Sequence, residues 1–196
     1  MRHTRELLIG RPVGALRTTI AGIEYDYRNA SWIKRVMRQS AVPRPMSWLY
    51  ARTLYHIDRT VYHRTRGRET FTSWVTGLPV VMLTTTGAKS RSPCTLPVIG
   101  IPADDRLVVI ASNYGQRHNP AWYYNLRAHP QASVFVGGAS RDVVARELTG
   151  DESELWYARG IGIYPGFRYY RKRAAPRQIP VVELRPALPE GNSTEA

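Results

Sequence analysis

The spacing of apolar side chains divides this sequence into a helical first third and a strand-rich remainder. Two apolar stripes recur at helical spacing in the first third, and cations flank the first of them. The first stripe consists of Trp32, Ile33, Val36 and Met37. After two prolines, the second stripe consists of Met46, Leu49, Tyr50, Leu54, Ile57 and Val61. We therefore predict a helical arm over residues 1–70, whose apolar faces pack on the domain or lie on a membrane surface.

Short segments rich in Val, Ile and Thr begin at residue 78, and Gly, Pro or Asp separate them, which is typical of strands. The predicted strands cover residues 78–86, 95–101, 106–112, 133–136, 141–148 and 179–184. Consecutive short strands with few helical crossovers favour an antiparallel barrel over a doubly wound parallel sheet. We therefore predict an α+β fold with a barrel domain over residues 71–186 and flanking helices, followed by a disordered tail over residues 187–196.

Local start signals predict three short helices beside these strands. They cover about residues 119–129, 149–159 and 164–173. Asn119 is a candidate helix cap, with Pro120 at the first helical position. Thr149 and Glu152 have the spacing of a capping box, in which each residue bonds the backbone of the other.

Length, composition and cysteine content exclude several classes of protein. The 196 residues and 43% hydrophobic content suit one globular domain with an arm. Cys94 is the single cysteine, which excludes a disulfide framework and a multi-cysteine metal site and predicts a reducing, cytoplasmic compartment. The apolar stretch 78–83 is too short to span a bilayer. Arg11 interrupts the apolar N-terminal stretch, so we expect no signal peptide.

Basic side chains outnumber acidic ones by 28 to 15, and the excess is concentrated in the arm. Residues 1–70 hold 14 basic and 5 acidic side chains, which gives +9 of the total charge of +13. Such a surface attracts phosphate from nucleic acid, anionic lipid or an anionic cofactor. The sequence has no helix-turn-helix, zinc-finger or RNP signature, so we expect no nucleic-acid partner.

Three stretches carry the candidate chemistry, because the HExxH, GxSxG and Walker motifs of common enzymes are absent. In the first stretch, residues 84–91, a predicted strand enters a glycine turn that carries Lys89, Ser90 and Arg91. Turn amides, a hydroxyl and two cations suit an anionic group. An ordinary polar hairpin has the same pattern and is the alternative.

The second and third stretches combine small, amide and aromatic residues. Residues 111–115 end a predicted strand, and residues 119–126 begin a helix with an aromatic cluster. A strand end that faces a helix N-terminus suits a flat anionic ring, although an aromatic core cluster explains the pattern equally well. The third stretch places three aromatic residues on one predicted helical face, where they pack together or line a substrate pocket. They are Tyr164, Phe167 and Tyr170.

The chain resembles the deazaflavin-dependent nitroreductase family of actinobacteria through LTTTGAKS, SNYGQRHNPAWYYNLRAHP and YPGFRYY followed by IPVVEL. The resemblance extends over about residues 58–186, with the motifs in the same order. It implies a split β-barrel related to FMN-binding barrels. It also implies coenzyme F420, a deazaflavin whose tail carries phosphate and a polyglutamate chain. Family members transfer hydride from the reduced cofactor to a small acceptor: a quinone, a nitro compound or an activated double bond.

The resemblance also implies roles for individual residues. The implied cofactor-binding residues are Lys89, Ser90, Arg91, Pro97, Ile99, Ser112, Asn113, Gly115, Trp122 and Asn125. Tyr164 and Tyr170 are implied as catalytic residues, with a tyrosine or water as proton source, and Phe167 as substrate-binding. The sequence departs from the family pattern at Ala88, Arg91 and Cys94, where the family usually has Arg or Lys, Gly and Arg. Phe167 stands where some nitro-reducing members have tyrosine.

Two functions are compatible with these residues. An F420-dependent reductase is the main interpretation, and a noncatalytic deazaflavin-binding or carrier protein is the alternative. Turnover with a quinone distinguishes them. We expect a cytoplasmic protein whose arm either packs on the barrel or contacts the inner face of the cell membrane peripherally.

Overall fold

The computed structural model describes residues 17–20, 23–26, 78–103, 106–136 and 138–187. The strands are β1 (Arg17–Ile20), β2 (Ile23–Asp26), β3 (Val80–Thr86), β4 (Pro93–Ala103), β5 (Arg106–Ile110), β6 (Gln131–Val136), β7 (Ala139–Leu148) and β8 (Val181–Pro186). The helices are α1 (Ala121–Ala128), α2 (Gly150–Ile163) and α3 (Gly166–Ala174), with a 3₁₀ turn at Asn113–Gly115.

Six of the strands form a closed antiparallel barrel in the order β3-β4-β5-β8-β7-β6. Pairing of β3 with β6 closes the barrel, with Leu83 opposite Val134 and Thr85 opposite Ala132. Closure leaves neither of these strands with an open edge. The predicted split antiparallel barrel with flanking helices is therefore confirmed.

Alternation along the strands creates two apolar clusters on opposite faces of the barrel wall. The interior cluster holds Val81, Leu83, Val109, Val182 and Leu184, and α1 covers it through Trp122, Tyr123 and Leu126. The outer cluster holds Val80, Ile101, Val108, Ile110 and Val181, and α2 and α3 cover it through Trp156, Tyr157, Phe167 and Tyr170. The helices are thus held by the two clusters, one at each face of the wall.

Three local predictions need correction or lie outside the described residues. β1 and β2 form a two-stranded ribbon inside the arm, so the helical prediction is wrong for these segments. The apolar stripes of the arm and residues 188–196 lie outside the described residues. Pro120 occupies the cap of α1 without a side-chain cap bond. The predicted cap, Asn119, instead accepts a hydrogen bond from Arg177.

The capping-box pattern marks the right start of α2, but its hydrogen bonds do not form. Thr149 is the cap residue and makes no side-chain bond to the helix backbone. Glu152 instead accepts two hydrogen bonds from Arg146 of β7, at 3.1 and 3.2 Å. A cross-element charge pair has therefore replaced the local cap, and α2 runs on to Ile163, beyond the predicted end.

A buried carboxylate lies on the barrel wall where β5, β7 and β8 meet. Glu183 is fully buried. It forms an ion pair with Arg106 at 2.7 Å and accepts hydrogen bonds from Arg146 at 2.9 Å and Arg185 at 2.7 Å. Burial alone would raise the pKa of Glu183, but the three guanidinium groups outweigh it and lower this pKa below its ordinary value. Glu183 is therefore a charge centre that joins three strands.

The lowered pKa of Glu183 gives a pH-dependent contribution to folding. A carboxyl group with a folded pKa below its unfolded value stabilises above the unfolded pKa, and the contribution disappears as pH falls through the folded pKa. We expect Glu183→Gln to lower the free energy of unfolding by about 1.5–3 kcal/mol at neutral pH. The gap from wild type should shrink in acid. Urea unfolding at about pH 7 and about pH 4 measures both effects.

Glu154→Gln is the matched control, because Glu154 pairs with Arg171 at the surface and both side chains are largely exposed. We expect it to cost less than about 1 kcal/mol. Equal losses in the two variants would show that the Glu183 centre contributes no more than a surface pair.

Candidate functional site

A basic turn joins β3 to β4 at one end of the barrel. Gly87 closes this turn (residues 87–92), because its amide donates to the carbonyl of Ser92 and its carbonyl accepts from the amide of Arg91, both at 2.9 Å. Lys89, Ser90 and Arg91 are exposed at its tip. Within the described part of the chain, neither cation forms an ion pair or a hydrogen bond. The turn therefore presents two charges that an external anion can neutralise.

Asn125 of α1 connects the basic turn to the barrel. Its Oδ1 accepts a hydrogen bond from the amide of Ala88 at 2.9 Å, and its Nδ2 donates to Oγ1 of Thr85 at 3.0 Å. Both ends of the side-chain amide are thus occupied by protein groups, and Asn125 and Thr85 are both buried. Asn125 holds the turn in place, so its geometry supports a positioning role at the predicted site.

A second loop lies where β5 ends. This strand-end loop (residues 111–119) contains three consecutive residues with positive φ: Asn113 at 46°, Tyr114 at 55° and Gly115 at 76°. Asn tolerates this region well and Gly is unrestricted there, whereas Tyr rarely adopts it. The Asn113 amide donates to the carbonyl of His118 at 3.1 Å and closes the loop on itself. The backbone here is held in one shape against its local preference.

Arg177 supplies most of the bonds that hold this shape, and the sequence analysis missed it. Its five N–H groups all donate into the strand-end loop. The acceptors are the carbonyls of Ala111 at 3.3 Å, Ser112 at 2.9 Å and Gln116 at 2.9 and 3.1 Å, and Oδ1 of Asn119 at 2.6 Å. Burial lowers the pKa of Arg177, although two tyrosines oppose the effect. No motif separates this residue from the other arginines of the chain.

The strand-end loop packs directly against α3. A Cβ on Gly115 would lie 3.0 Å from the Cα and carbonyl oxygen of Tyr170 and from the Cβ of Arg173, so a larger residue would push the loop away from the helix. The Tyr114 ring meets the Tyr170 ring edge-on, with centroids 6.0 Å apart. The loop and the aromatic cluster of α3 therefore share one boundary.

The three aromatic residues predicted to share a helical face do meet, but not on one helix. Tyr164 ends α2 with an extended backbone, while Phe167 and Tyr170 lie on α3. The Tyr164 ring lies across the start of α3, where a Cβ on Gly166 would come within 2.3 Å of it. The helical placement predicted for Tyr164 is thus wrong, and a glycine makes the contact possible.

The Tyr164 and Tyr170 hydroxyl oxygens lie 2.9 Å apart, and both side chains are buried. Burial, followed by the neighbouring Tyr164, raises the pKa of Tyr170 well above its ordinary value. Tyr170 therefore stays protonated near neutral pH. Phe167 packs edge-on against the Tyr164 ring at 5.3 Å and the Tyr170 ring at 6.3 Å.

The other predicted site residues lie in two different environments. Pro97 and Ile99 lie on the same side of β4 and are half-buried, and Ile99 packs against the outer cluster. Ser112 is half-buried at the strand end. Trp122 belongs to the interior cluster, apart from the tyrosine pair in the outer cluster. The donor set fits a flat ring with an anionic tail: partly covered apolar residues along β4 and unpaired cations at the basic turn.

Asn125→Ala should loosen the basic turn. It leaves the Ala88 amide and the Thr85 hydroxyl without their partner, so we expect a loss of about 1–3 kcal/mol in the free energy of unfolding. Thr85→Val is the matched control, because it removes the barrel end of the contact and keeps the bond to the turn. Urea unfolding measures stability. Amide exchange at residues 87–92 should accelerate in Asn125→Ala and stay near wild type in Thr85→Val; equal exchange in both would contradict the role of Asn125.

The chain is similar in sequence and fold to several known proteins. The sequence profile of the F420H(2)-dependent quinone reductase family matches residues 54–186. The F420H(2)-dependent quinone reductase Rv1261c of Mycobacterium tuberculosis is 30% identical over 135 residues, which is 67% of this chain and 89% of that protein. A solved F420-H2-dependent reductase, FDR-A, is 35% identical with a TM-score of 0.51, over 55% of this chain and 94% of its own. Another structure, a domain-swapped dimer, is 31% identical with a TM-score of 0.54, over 72% and 99%.

The closed barrel and these relatives together identify a split-barrel oxidoreductase that uses a deazaflavin. The chain belongs to the F420H2-dependent quinone reductase family, and its cofactor is coenzyme F420. The resemblance to deazaflavin-dependent enzymes of actinobacteria is thereby confirmed, and the enzyme is favoured over the noncatalytic carrier. The roles of individual residues remain predictions.

Proposed function

We propose that the protein transfers hydride from reduced F420 to a quinone and yields the hydroquinone. The observation that carries this proposal is the tyrosine hydroxyl pair, which lies in the outer cluster where the strand-end loop meets α3. Family membership supports the same reaction class. The test is direct: F420H2 oxidation with menadione as acceptor. Absence of turnover with quinones, while F420 binds, would contradict the proposed reaction.

The cofactor would lie between the basic turn and the strand-end loop. Lys89, Ser90 and Arg91 would hold the phosphate and the first glutamates of its tail, since the exposed cations have no acidic partner among the described residues. Pro97 and Ile99 would contact the ring from β4, and Ser112, Asn113 and Gly115 from the strand-end loop. Trp122 would support that surface from the interior cluster. Reduced F420 supplies a hydride, which carries two electrons and one proton.

The quinone must gain a further proton as well as the hydride. Tyr164 and Tyr170 would hold that proton at their hydroxyl oxygens, 2.9 Å apart. The Tyr170 hydroxyl is neutral, and its raised pKa makes it a weaker acid than a free tyrosine, so it would act first as a hydrogen-bond donor to an oxygen that gains negative charge. A proton that solvent supplies would then pass through the hydroxyl pair to this oxygen and leave a neutral hydroquinone.

Phe167 favours quinones over nitro compounds as acceptors. It packs edge-on against both tyrosine rings, is buried with them and has no hydroxyl to donate. A flat apolar acceptor needs no hydrogen bond from this position, whereas a nitro group would find no donor there. Nitro compounds and activated double bonds are therefore secondary acceptors in this proposal.

Lys89→Ala and Arg91→Ala should each weaken F420 binding about tenfold or more, because a charge-assisted contact contributes roughly 1.5–3 kcal/mol. Arg141→Ala, an exposed cation at the start of β7, is the matched control and should bind normally. Equilibrium fluorescence titration with F420 measures all three, and a parallel titration with FMN should show weaker binding. Normal affinity in both turn variants would make the turn an ordinary hairpin.

Tyr164→Phe and Tyr170→Phe should slow quinone reduction by about 10²–10⁴-fold if the pair supplies the proton, with cofactor affinity nearly unchanged. Tyr169→Phe is the control, since this neighbour on α3 is 50% exposed. Steady-state kinetics with menadione separates kcat from KM for each variant. Unchanged rates in both buried variants would show that water delivers the proton.

We also propose that the arm contacts anionic membrane, where lipid quinones are reachable. The support is its charge of +9 over residues 1–70 together with the two apolar stripes. None of the described helices is long and apolar enough to cross a membrane. Replacing Lys34, Arg35 and Arg38 with Glu should reduce co-sedimentation with anionic vesicles. The same change at the exposed barrel residues Arg117, Arg141 and Arg168 is the control; equal losses would assign no special role to the arm.

A further inference from the structure

We infer that Arg177 is the positioning residue of the strand-end loop, and that its guanidinium fork sets the loop shape which F420 binding requires. This inference rests on the proposed placement of the cofactor and concerns a residue that touches none of it. Arg177 bonds the loop through its whole guanidinium group, the loop backbone is unusual, and the loop contacts α3.

Arg177 uses its whole guanidinium group to bond the strand-end loop. A guanidinium has five N–H donors in one plane, and here every donor has an acceptor in residues 111–119. Four of the five bonds go to backbone carbonyls, so the fork depends on backbone positions more than on loop side chains. Charged donors strengthen such bonds. A lysine at this position keeps the charge but has three donors on one nitrogen and cannot match this plane.

The fork holds a stretch of backbone with unusual dihedral angles. Ser112 and Gln116 flank the three residues with positive φ, and the fork bonds the carbonyls of both. Tyr114 adopts a left-handed conformation that is unfavourable for an L-residue with a side chain. The fork therefore joins the two ends of the strained segment and offsets this cost. Without the fork, we expect the loop to relax to a different backbone conformation.

The strand-end loop is in contact with α3, the helix that carries Tyr170. Gly115 lies against the Tyr170 backbone, and Arg177 follows α3 by three residues, with its own amide donating to the carbonyl of Ala174 at 3.0 Å. The fork thus links the end of α3 to the loop that faces Tyr170. A shift of the loop changes the position of the cofactor surface relative to the hydroxyl pair.

The decisive variant is Arg177→Lys, with Arg171→Lys as the matched control. Arg171 lies in the last turn of α3 and pairs with an acidic side chain, but it lies at the surface. We expect Arg177→Lys to weaken F420 binding about tenfold or more, since it loses several charge-assisted bonds. We also expect amide exchange in Arg177→Lys to be faster at residues 111–119 and unchanged in the barrel strands. Arg171→Lys should match wild type in both measurements.

Two further measurements keep the inference testable. If Arg177→Lys does not fold, Asn119→Ala is the variant to test, because it removes one acceptor of the fork. We expect Asn119→Ala to bind F420 several-fold more weakly while its thermal stability stays at the wild-type value. In Arg177→Ala, added guanidinium should restore part of the lost F420 affinity. Such a rescue is not expected if Arg177 contributes only its positive charge.

The outcomes separate this inference from the proposed function. If wild type does not bind F420, both fail. If wild type binds F420 and Arg177→Lys binds it equally well, or if exchange accelerates throughout the barrel instead of in the loop, Arg177 is an ordinary structural residue and the proposed function stands. Normal F420 binding by Asn119→Ala, where Arg177→Lys cannot be tested, also contradicts the inference.

Discussion

The pairing of β3 with β6 is the interaction on which the site depends. It closes the barrel, and it brings the end of β3 beside the start of β6, with Thr85 opposite Ala132. Because α1 runs almost directly into β6, the same pairing places Asn125 within hydrogen-bond distance of Thr85 and of the Ala88 amide. The position of the basic turn is therefore a consequence of barrel closure. An open sheet with the same strands would leave the turn without this support.

The other half of the site depends on close approach between backbones. Gly115 lets the strand-end loop touch α3, and Gly166 lets the Tyr164 ring cross the start of that helix. Both contacts exclude a Cβ, and together they bring the tyrosine pair to the loop. Helix α3 is itself held on the barrel by Phe167 and Tyr170, which are buried in the outer cluster. Packing and glycine placement, rather than sequence proximity, define the distance between the loop and the hydroxyl pair.

Periodicity was sufficient to predict the barrel strands, because each strand buries alternate residues against one of two apolar clusters. The predicted strand at 78–86 and the observed Val80–Thr86 differ only at one end, where Leu78 and Pro79 are buried and precede the first residue of β3, although the Pro79 carbonyl still accepts a hydrogen bond from the Gly100 amide of β4 at 2.8 Å. Long-range bonds were not predictable. The arginine fork at Arg177 joins residues about 60 positions apart, and nothing local marks it among the many arginines. Tyr164 was misplaced for a related reason: spacing cannot show that a helix ends and another begins between two aromatic residues.

The arginine excess of the described part of the chain divides into groups with different physical roles. Three guanidinium groups surround Glu183, and one of them, Arg146, also pairs with Glu152, so that two carboxylates offset part of their charge. Arg171 pairs with Glu154 and lies over the Tyr157 ring at 3.7 Å. Arg177 directs its donors into backbone carbonyls. The cations of the basic turn differ from all of these, since no described acidic group lies close to them. The proposed binding of an anionic cofactor tail therefore depends on cations that lie beside the amides of this turn, rather than on net charge.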